Sequence, residues 1–331
     1  NILRRSNKEL IVAVNKIDGL HMEDNVYEFY NLGLGTPIPV SATHKRGFGD
    51  FLDELVARFP DDDVESEDTD IIKIAVVGKP NVGKSSLVNK ILGEDRVIVS
   101  DVPGTTRDAV DTRFEYDGRE YTIIDTAGIR RKSRIDESLE RYSVMRALTA
   151  IRRCDVALIV MDATEEISAQ DVRIAGLVHE EGKASALVMN KWDLVEKHTD
   201  TIYYYRRMIQ THLSFMDYSQ SMFISAKTGQ RVGRIIESVD HVYEAYTRRI
   251  TTGVLNECLS DAIAMVEPPS DRGRRLKIYY GTQVSVKPPT FVIFVNDLKL
   301  VHYSYERYLE NYFRRTFDLE GTPIRIIFRQ R

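Results

Sequence analysis

Cysteine is nearly absent: Cys154 and Cys258 are the only two in 331 residues. They stand alone, with no Cys-x-x-Cys pair and no Cys/His cluster. Neither a disulfide scaffold nor structural zinc is expected, and a reducing compartment fits best. No apolar run reaches the ~18 residues needed to cross a bilayer, and the start of the chain has no signal-peptide pattern. A membrane partner is therefore not expected. Charge of one sign is also lacking, since 46 basic residues face 50 acidic ones for a net charge of -4. That balance excludes a generic nucleic-acid coat, DNA is not an expected partner, and any basic surface must be local. The chain begins at Asn1 rather than Met, which reads as a truncated chain.

What is present is alternation. Residues 10–14 form a short apolar run ending in Asn15-Lys16-Ile17-Asp18, and residues 38–40 form a second ending in Ser41-Ala42-Thr43. A helical pattern lies between them and another spans 48–59, so the segment reads strand, helix, strand, helix. Residues 61–70 are acidic, with almost nothing to bury, and read as a solvated linker. Strands are then expected at 72–77, 113–116, 121–124, 156–162, 184–190 and 222–225, with helices between most of them. That order predicts a doubly wound, mostly parallel sheet that binds ligand at its strand carboxyl ends. From about 250 the pattern changes to a helix (254–265), a Pro/Arg-rich loop, strands at 276–286 and 290–295, a helix at 305–317 and a strand at 324–328. This is a small α+β unit.

The first apolar strand of the long alternation runs straight into Gly78-Lys79-Pro80-Asn81-Val82-Gly83-Lys84-Ser85. Strand, Gly-x-x-x-x-Gly-Lys-Ser and helix together specify a phosphate loop. Its glycines let main-chain N–H groups wrap an anion at a helix N-terminus. Lys84 is expected on the β- and γ-phosphates and the Ser85 hydroxyl on Mg²⁺. Downstream, Asp125-Thr126-Ala127-Gly128-Ile129 follows a strand; Asp125 suits a water-mediated magnesium contact, and Gly128 can approach a γ-phosphate without a Cβ. Between them, Pro103-Gly104-Thr105-Thr106-Arg107-Asp108 offers a loop threonine for the metal, Thr106 first and Thr105 as the alternative.

Base identity is encoded in Asn190-Lys191-Trp192-Asp193. An aspartate there can accept the N1–H and 2-amino hydrogens of guanine, which adenine lacks. Asn190 would tie this loop to the phosphate loop, and the Lys191 stem would lie along the base. Trp192 reads as packing inside the motif. Ser225-Ala226-Lys227 would present an N–H to guanine O6. Where many GTPases place a water-orienting glutamine, this chain has Ile129, which has no hydrogen-bonding group. Asn81 is therefore a candidate to help hold a monovalent cation, K⁺, beside the phosphates. Asn81, Lys84, Thr106 and Gly128 are the expected catalytic set. Arg130, Arg131, Lys132 and Arg134 are either an RNA contact or a solvated charge run.

Two short motifs recur in order: Asn15-Lys16-Ile17-Asp18 with Asn190-Lys191-Trp192-Asp193, and Ser41-Ala42-Thr43 with Ser225-Ala226-Lys227. Together with the phosphate loop, Gly104-Thr105-Thr106-Arg107-Asp108 and the C-terminal Leu276-Lys277-Ile278-Tyr279-Tyr280-Gly281 stretch, they make the chain resemble the bacterial Der (EngA) family of tandem GTPases. The resemblance covers essentially the whole chain. It implies a P-loop NTPase fold in one partial and one complete copy, followed by a KH-like domain, with boundaries at 1–60, 61–70, 71–249 and 250–331. It further implies a cytoplasmic, monomeric GTP/GDP switch acting on the large ribosomal subunit. Asn15, Lys16, Ile17 and Asp18 would be the base contacts of the partial copy. That copy lacks its phosphate loop here and is not expected to hold a nucleotide by itself. The KH-like segment lacks the Gly-x-x-Gly of RNA-binding KH modules, although Arg272, Arg274, Arg275, Lys277 and Lys287 could form a local basic patch. The alternatives are a GTP-dependent RNA-modification factor and an RNA-binding scaffold with structural nucleotide.

Overall fold

The computed structural model describes residues 10–44, 47, 51, 54–55, 71–99, 111–126, 139–271 and 273–331. The acidic linker, Thr105, Thr106, Arg107 and Asp108, the residues Ala127, Gly128 and Ile129, the basic run 130–134, Arg272 and most of the helix expected over 48–59 lie outside the described residues. The chain divides into two compact units, Asn1–Thr69 and Asp70–Arg331.

In the first unit, β1 (Ala13–Val14) and β2 (Ile38–Pro39) pair in parallel, and the segment between them, Leu20–Leu32, is wound as a 3-10 helix. Val26 of this helix is buried together with Val14 and Ile17.

The second unit is built on a seven-stranded sheet. Its strands are β3 (Ile72–Val77), β4 (Val97–Val99), β5 (Thr112–Tyr116), β6 (Arg119–Ile124), β7 (Val156–Asp162), β8 (Ala184–Asn190) and β9 (Gln220–Phe223), in the order β4-β5-β6-β3-β7-β8-β9. From β6 to β9 all neighbours are parallel, while β4 and β5 add an antiparallel edge. Sequence explains the difference. Every residue of β7 and β8 is buried, as near-continuous apolar runs require when helices cover both faces of a sheet. β5 instead alternates, sending Phe114 and Tyr116 inward and Arg113 and Glu115 to solvent.

Alternation along β3 divides the core in two. Ile72, Ile74 and Val76 pack with helices α1 (Lys84–Leu92) and α5 (Arg234–Thr247). Ala75 and Val77 face α2 (Leu139–Arg153), α3 (Ala169–Glu180) and α4 (Thr201–His212). No helix among the described residues is long and apolar enough to cross a membrane.

The chain then enters α6 (Thr252–Met265), the two-residue strands β10 (Ser270–Asp271) and β11 (Arg274–Arg275), β12 (Ile278–Ser285), β13 (Thr290–Val295), α7 (Tyr303–Thr316) and β14 (Arg325–Gln330). β13 lies between antiparallel β12 and parallel β14. Its Phe291, Ile293 and Val295 bury against Leu255 and Leu259 of α6 and Leu309 and Phe313 of α7. The stretch expected to be a plain Pro/Arg-rich loop contains the small β10–β11 hairpin. This segment is bolted to the amino ends of the parallel strands. Lys287 Nζ donates to Asp155 Oδ1 at 2.8 Å, just ahead of β7, and the Ser185 N–H of β8 donates to the Gly321 carbonyl at 2.7 Å. The opposite, carboxyl ends of β3, β7 and β8 are therefore left to build a site.

Candidate functional site

The loop after β3 is shaped by three residues in left-handed or otherwise glycine-favouring backbone: Gly78 (φ 152°), Asn81 (φ 64°) and Gly83 (φ 96°). A Cβ on Gly78 would run into the Val160 carbonyl, and one on Gly83 into the Asn190 side-chain amide. α1 begins directly after Gly83 with no side-chain cap. The first-turn main-chain N–H groups of a helix point out along its axis, which is the arrangement that receives an anion.

Lys84 folds back over this loop, donating to the Gly78 carbonyl at 2.8 Å and the Lys79 carbonyl at 2.6 Å. Burial pushes its ammonium down to about 8, with the Asp171 carboxylate acting in the opposite direction. A desolvated cation of this kind gains most from an arriving phosphate. Ser85, on the same first turn, is exposed toward solvent.

Lys79 behaves differently. Its ammonium is 2.7 Å from Glu165 and 3.3 Å from Asp171, turned to carboxylates on the loop after β7 and on α3. Burial would lower its pKa, but the bond to Glu165 and the charge of Asp171 outweigh this and raise it. Lys79 thus lends the loop its main chain, and its side chain is already engaged. Asp171 is 2% exposed, forms a capping box with Ser168, and its Oδ1 has no hydrogen-bond partner among the described residues. Neither carboxylate was singled out from the sequence, although Ser-x-x-Asp before an apolar pattern is a cap signal.

Asn190 ends β8 and joins the neighbouring loops. Its Nδ2 donates to the Val82 carbonyl at 2.8 Å, and its Oδ1 accepts the Ala226 N–H at 2.9 Å. The tie between Asn190 and the phosphate loop is thus observed. Within Ser225-Ala226-Lys227, the stretch expected to present an N–H to a base oxygen, the Ala226 N–H is the one given to Asn190. The Ser225 N–H goes to the Gln230 carbonyl. Lys191 takes a left-handed backbone (φ 62°) and its ammonium sits 2.5 Å from Asp162. Trp192 is 2% exposed and lies against Tyr205 and Phe223, so it supports the loop from below. The Ser225 hydroxyl bonds the exposed-side Asp193 carboxylate and holds it below the usual carboxylate range.

At the end of β6, Asp125 (φ 56°) donates its N–H to Asp111 Oδ1 at 2.9 Å, and Thr112 bonds Thr126 at 2.9 Å. Arg153 holds the other Asp111 oxygen. The first unit repeats the base-loop geometry. Asn15 Oδ1 accepts the Ala42 N–H at 3.1 Å, the Ser41 hydroxyl donates to Asp18 at 2.6 Å, and Lys16 has φ 71°. The Ile17 N–H reaches the Val40 carbonyl as the Trp192 N–H reaches that of Ile224.

Comparison with known proteins gives a consistent set of likenesses. A family model described as 50S ribosome-binding GTPase matches residues 73–191. Another, the KH-domain-like C-terminal part of EngA bacterial GTPase enzymes, matches 249–329. GTPase Der of Lachnospira eligens is 56% identical over 332 residues, spanning 100% of this chain and 75% of that protein. GTPase Der of Ruminiclostridium cellulolyticum is 57% identical over 331 residues, with the same shares. A solved structure of Era in complex with MgGDPNP and nucleotides 1506-1542 of 16S ribosomal RNA is 18% identical, with a TM-score of 0.41 over 79% of this chain and 94% of that chain.

Proposed function

Since the chain belongs to the GTPase Der family and is a GTP-binding, GTP-hydrolysing enzyme, we propose that it is a nucleotide-driven switch for maturation of the large ribosomal subunit. The observation that carries this reading is the uncapped α1 N-terminus beneath Lys84, stapled by Asn190 to a base-reading loop. The β- and γ-phosphates lie along the main-chain N–H groups of 78–85, with the Lys84 ammonium leaving its carbonyl partners for phosphate oxygens. Ser85 and Asp125, with Thr106, would hold Mg²⁺, which supplies charge neutralisation at the phosphates when bound. Asp193 accepts the guanine N1–H and 2-amino hydrogens, and the Ser225-Ala226-Lys227 turn would present a main-chain N–H other than that of Ala226 to O6.

Ile129 cannot orient an attacking water, so Asn81 is assigned to a potassium ion beside the phosphates. Its exposed side chain on a left-handed turn at the mouth of the loop supports that role. GTP turnover is expected to be faster in KCl than in NaCl at equal ionic strength; equal rates would remove the assignment.

The domain reading is 1–60 as part of a first GTPase domain, 61–70 as tether, 71–249 as the complete GTPase domain and 250–331 as the KH-like domain. The likeness of residues 73–191 to a 50S ribosome-binding GTPase supports a cytoplasmic role on that subunit. Throwing a two-state switch fully takes about 5.5 kcal/mol of discrimination between states. Contacts to the γ-phosphate from the loops around Thr106 and Gly128 would supply it. The test is sedimentation of the chain with large ribosomal subunits, with GDP or a non-hydrolysable GTP analogue. The bound fraction should change by about tenfold or more between nucleotides; identical sedimentation in both states would contradict the switch.

A further inference from the structure

Asp162 closes β7 with no role yet in nucleotide binding, and it is 5% exposed. It pairs in register with Asn190, so its Cα is fixed at the sheet end beside the base-reading loop. Its two oxygens are divided. Oδ1 accepts the Thr164 N–H at 2.9 Å and the Thr164 hydroxyl at 2.7 Å. Oδ2 meets the Lys191 ammonium at 2.5 Å. The next residue strengthens the frame: the Ala163 N–H donates to the Asn190 carbonyl at 2.9 Å, and its carbonyl accepts the Tyr205 hydroxyl.

We propose that Asp162 is a positioning residue for base recognition, holding Lys191 extended so that its aliphatic stem is in place before the purine arrives. The inference rests on the guanine-nucleotide reading above and adds to it a residue outside the recognition motif. Lysine is rich in rotamers, and ordering it during binding weakens affinity. Pinned at its tip by a buried carboxylate and at its base by a left-handed backbone, Lys191 has already lost that freedom. The pairing also removes a mobile positive charge from the base pocket, leaving Asp193 as the charge the base meets.

Asp162→Asn separates the functions. Asparagine keeps an oxygen for both Thr164 bonds but presents an amide donor to Lys191, so the fold is retained and the anchor is lost. Affinities of the full chain for GDP, GTP and inorganic tripolyphosphate are measured by competition against a fluorescent GDP analogue, beside single-turnover hydrolysis at saturating GTP. Asp162→Asn is expected to weaken GDP and GTP by the same factor, about tenfold. Tripolyphosphate affinity and the saturated rate should stay unchanged, because the phosphate loop is untouched. Lys191→Met should give the same base-selective loss, and the double variant should be no weaker than Lys191→Met alone. Unchanged GDP affinity in Asp162→Asn, a parallel loss of tripolyphosphate, or full additivity with Lys191→Met would each overturn the proposal. Lys191→Met reads the same anchor from the exposed side, so a misfolded Asp162→Asn leaves the idea refutable by a Lys191→Met that lacks the base-selective loss. Wild-type chain that fails to bind GDP would overturn the underlying nucleotide reading as well, before any variant is compared.

Discussion

Asp193→Asn is expected to move base preference from guanine to xanthine nucleotides, with GTP selectivity falling by about 10⁴-fold. The wild-type carboxylate offers two acceptors in a plane, matching the N1–H and 2-amino donors of guanine. Asparagine offers one acceptor and one donor, and the donor faces the guanine amino group with no partner. Xanthine has a carbonyl at that position and satisfies it. The magnitude follows from leaving desolvated polar groups unpaired, which a site built on hydrogen bonds tolerates poorly. The Ser225 hydroxyl bonds the Asp193 carboxylate and lowers its pKa, favouring the ionised form in which both oxygens accept. Competition of GTP, XTP and ATP for hydrolysis checks this, and unchanged GTP preference would remove Asp193 from the base site.

Lys84→Met is expected to lower GTP turnover by about 10²–10³-fold, the cost of losing one preorganised donor to developing charge. Methionine matches the stem in length and removes only the cation. Fold stability without nucleotide should move the other way. The Lys84 ammonium is lowered from its ordinary 10.5 to about 8, so the folded state binds its proton less well than the unfolded chain. The cost is present in full below about pH 8 and disappears as pH rises to 10.5. At neutral pH the variant should therefore melt no lower than the wild type while losing turnover. A melting temperature that fell with activity would mean that Lys84 serves the fold.

The sequence disclosed the elements where local pattern and burial agree. β3, β7 and β8 were legible residue for residue because central parallel strands must be continuously apolar. β4 was not, since three residues with Ile98 and Val99 exposed carry no periodic signal. The expected strand at 222–225 begins and ends two residues earlier as β9, because Ser225 turns to pair with Gln230. At the site, the motif residues were legible, but the side chains that orient them were not. Lys79 and Lys191 reach Asp171, Glu165 and Asp162 because the loops after β3 and β8 lie beside the end of β7, its loop and the start of α3, and spacing along the chain does not encode that. The same limit hid the use of the Ala226 N–H by Asn190. Repetition was the exception. Ser41 on Asp18 and Ala42 on Asn15 reproduce a geometry that two short motifs in the same order had already suggested.

The most direct test of the account is titration calorimetry of the intact chain with GDP in the presence of magnesium, set beside the Lys84→Met variant and an ADP control. Saturable heat with GDP, strongly reduced in the variant and absent with ADP, is the expected result. No heat with guanine nucleotide, or equal heat with ADP, would contradict it.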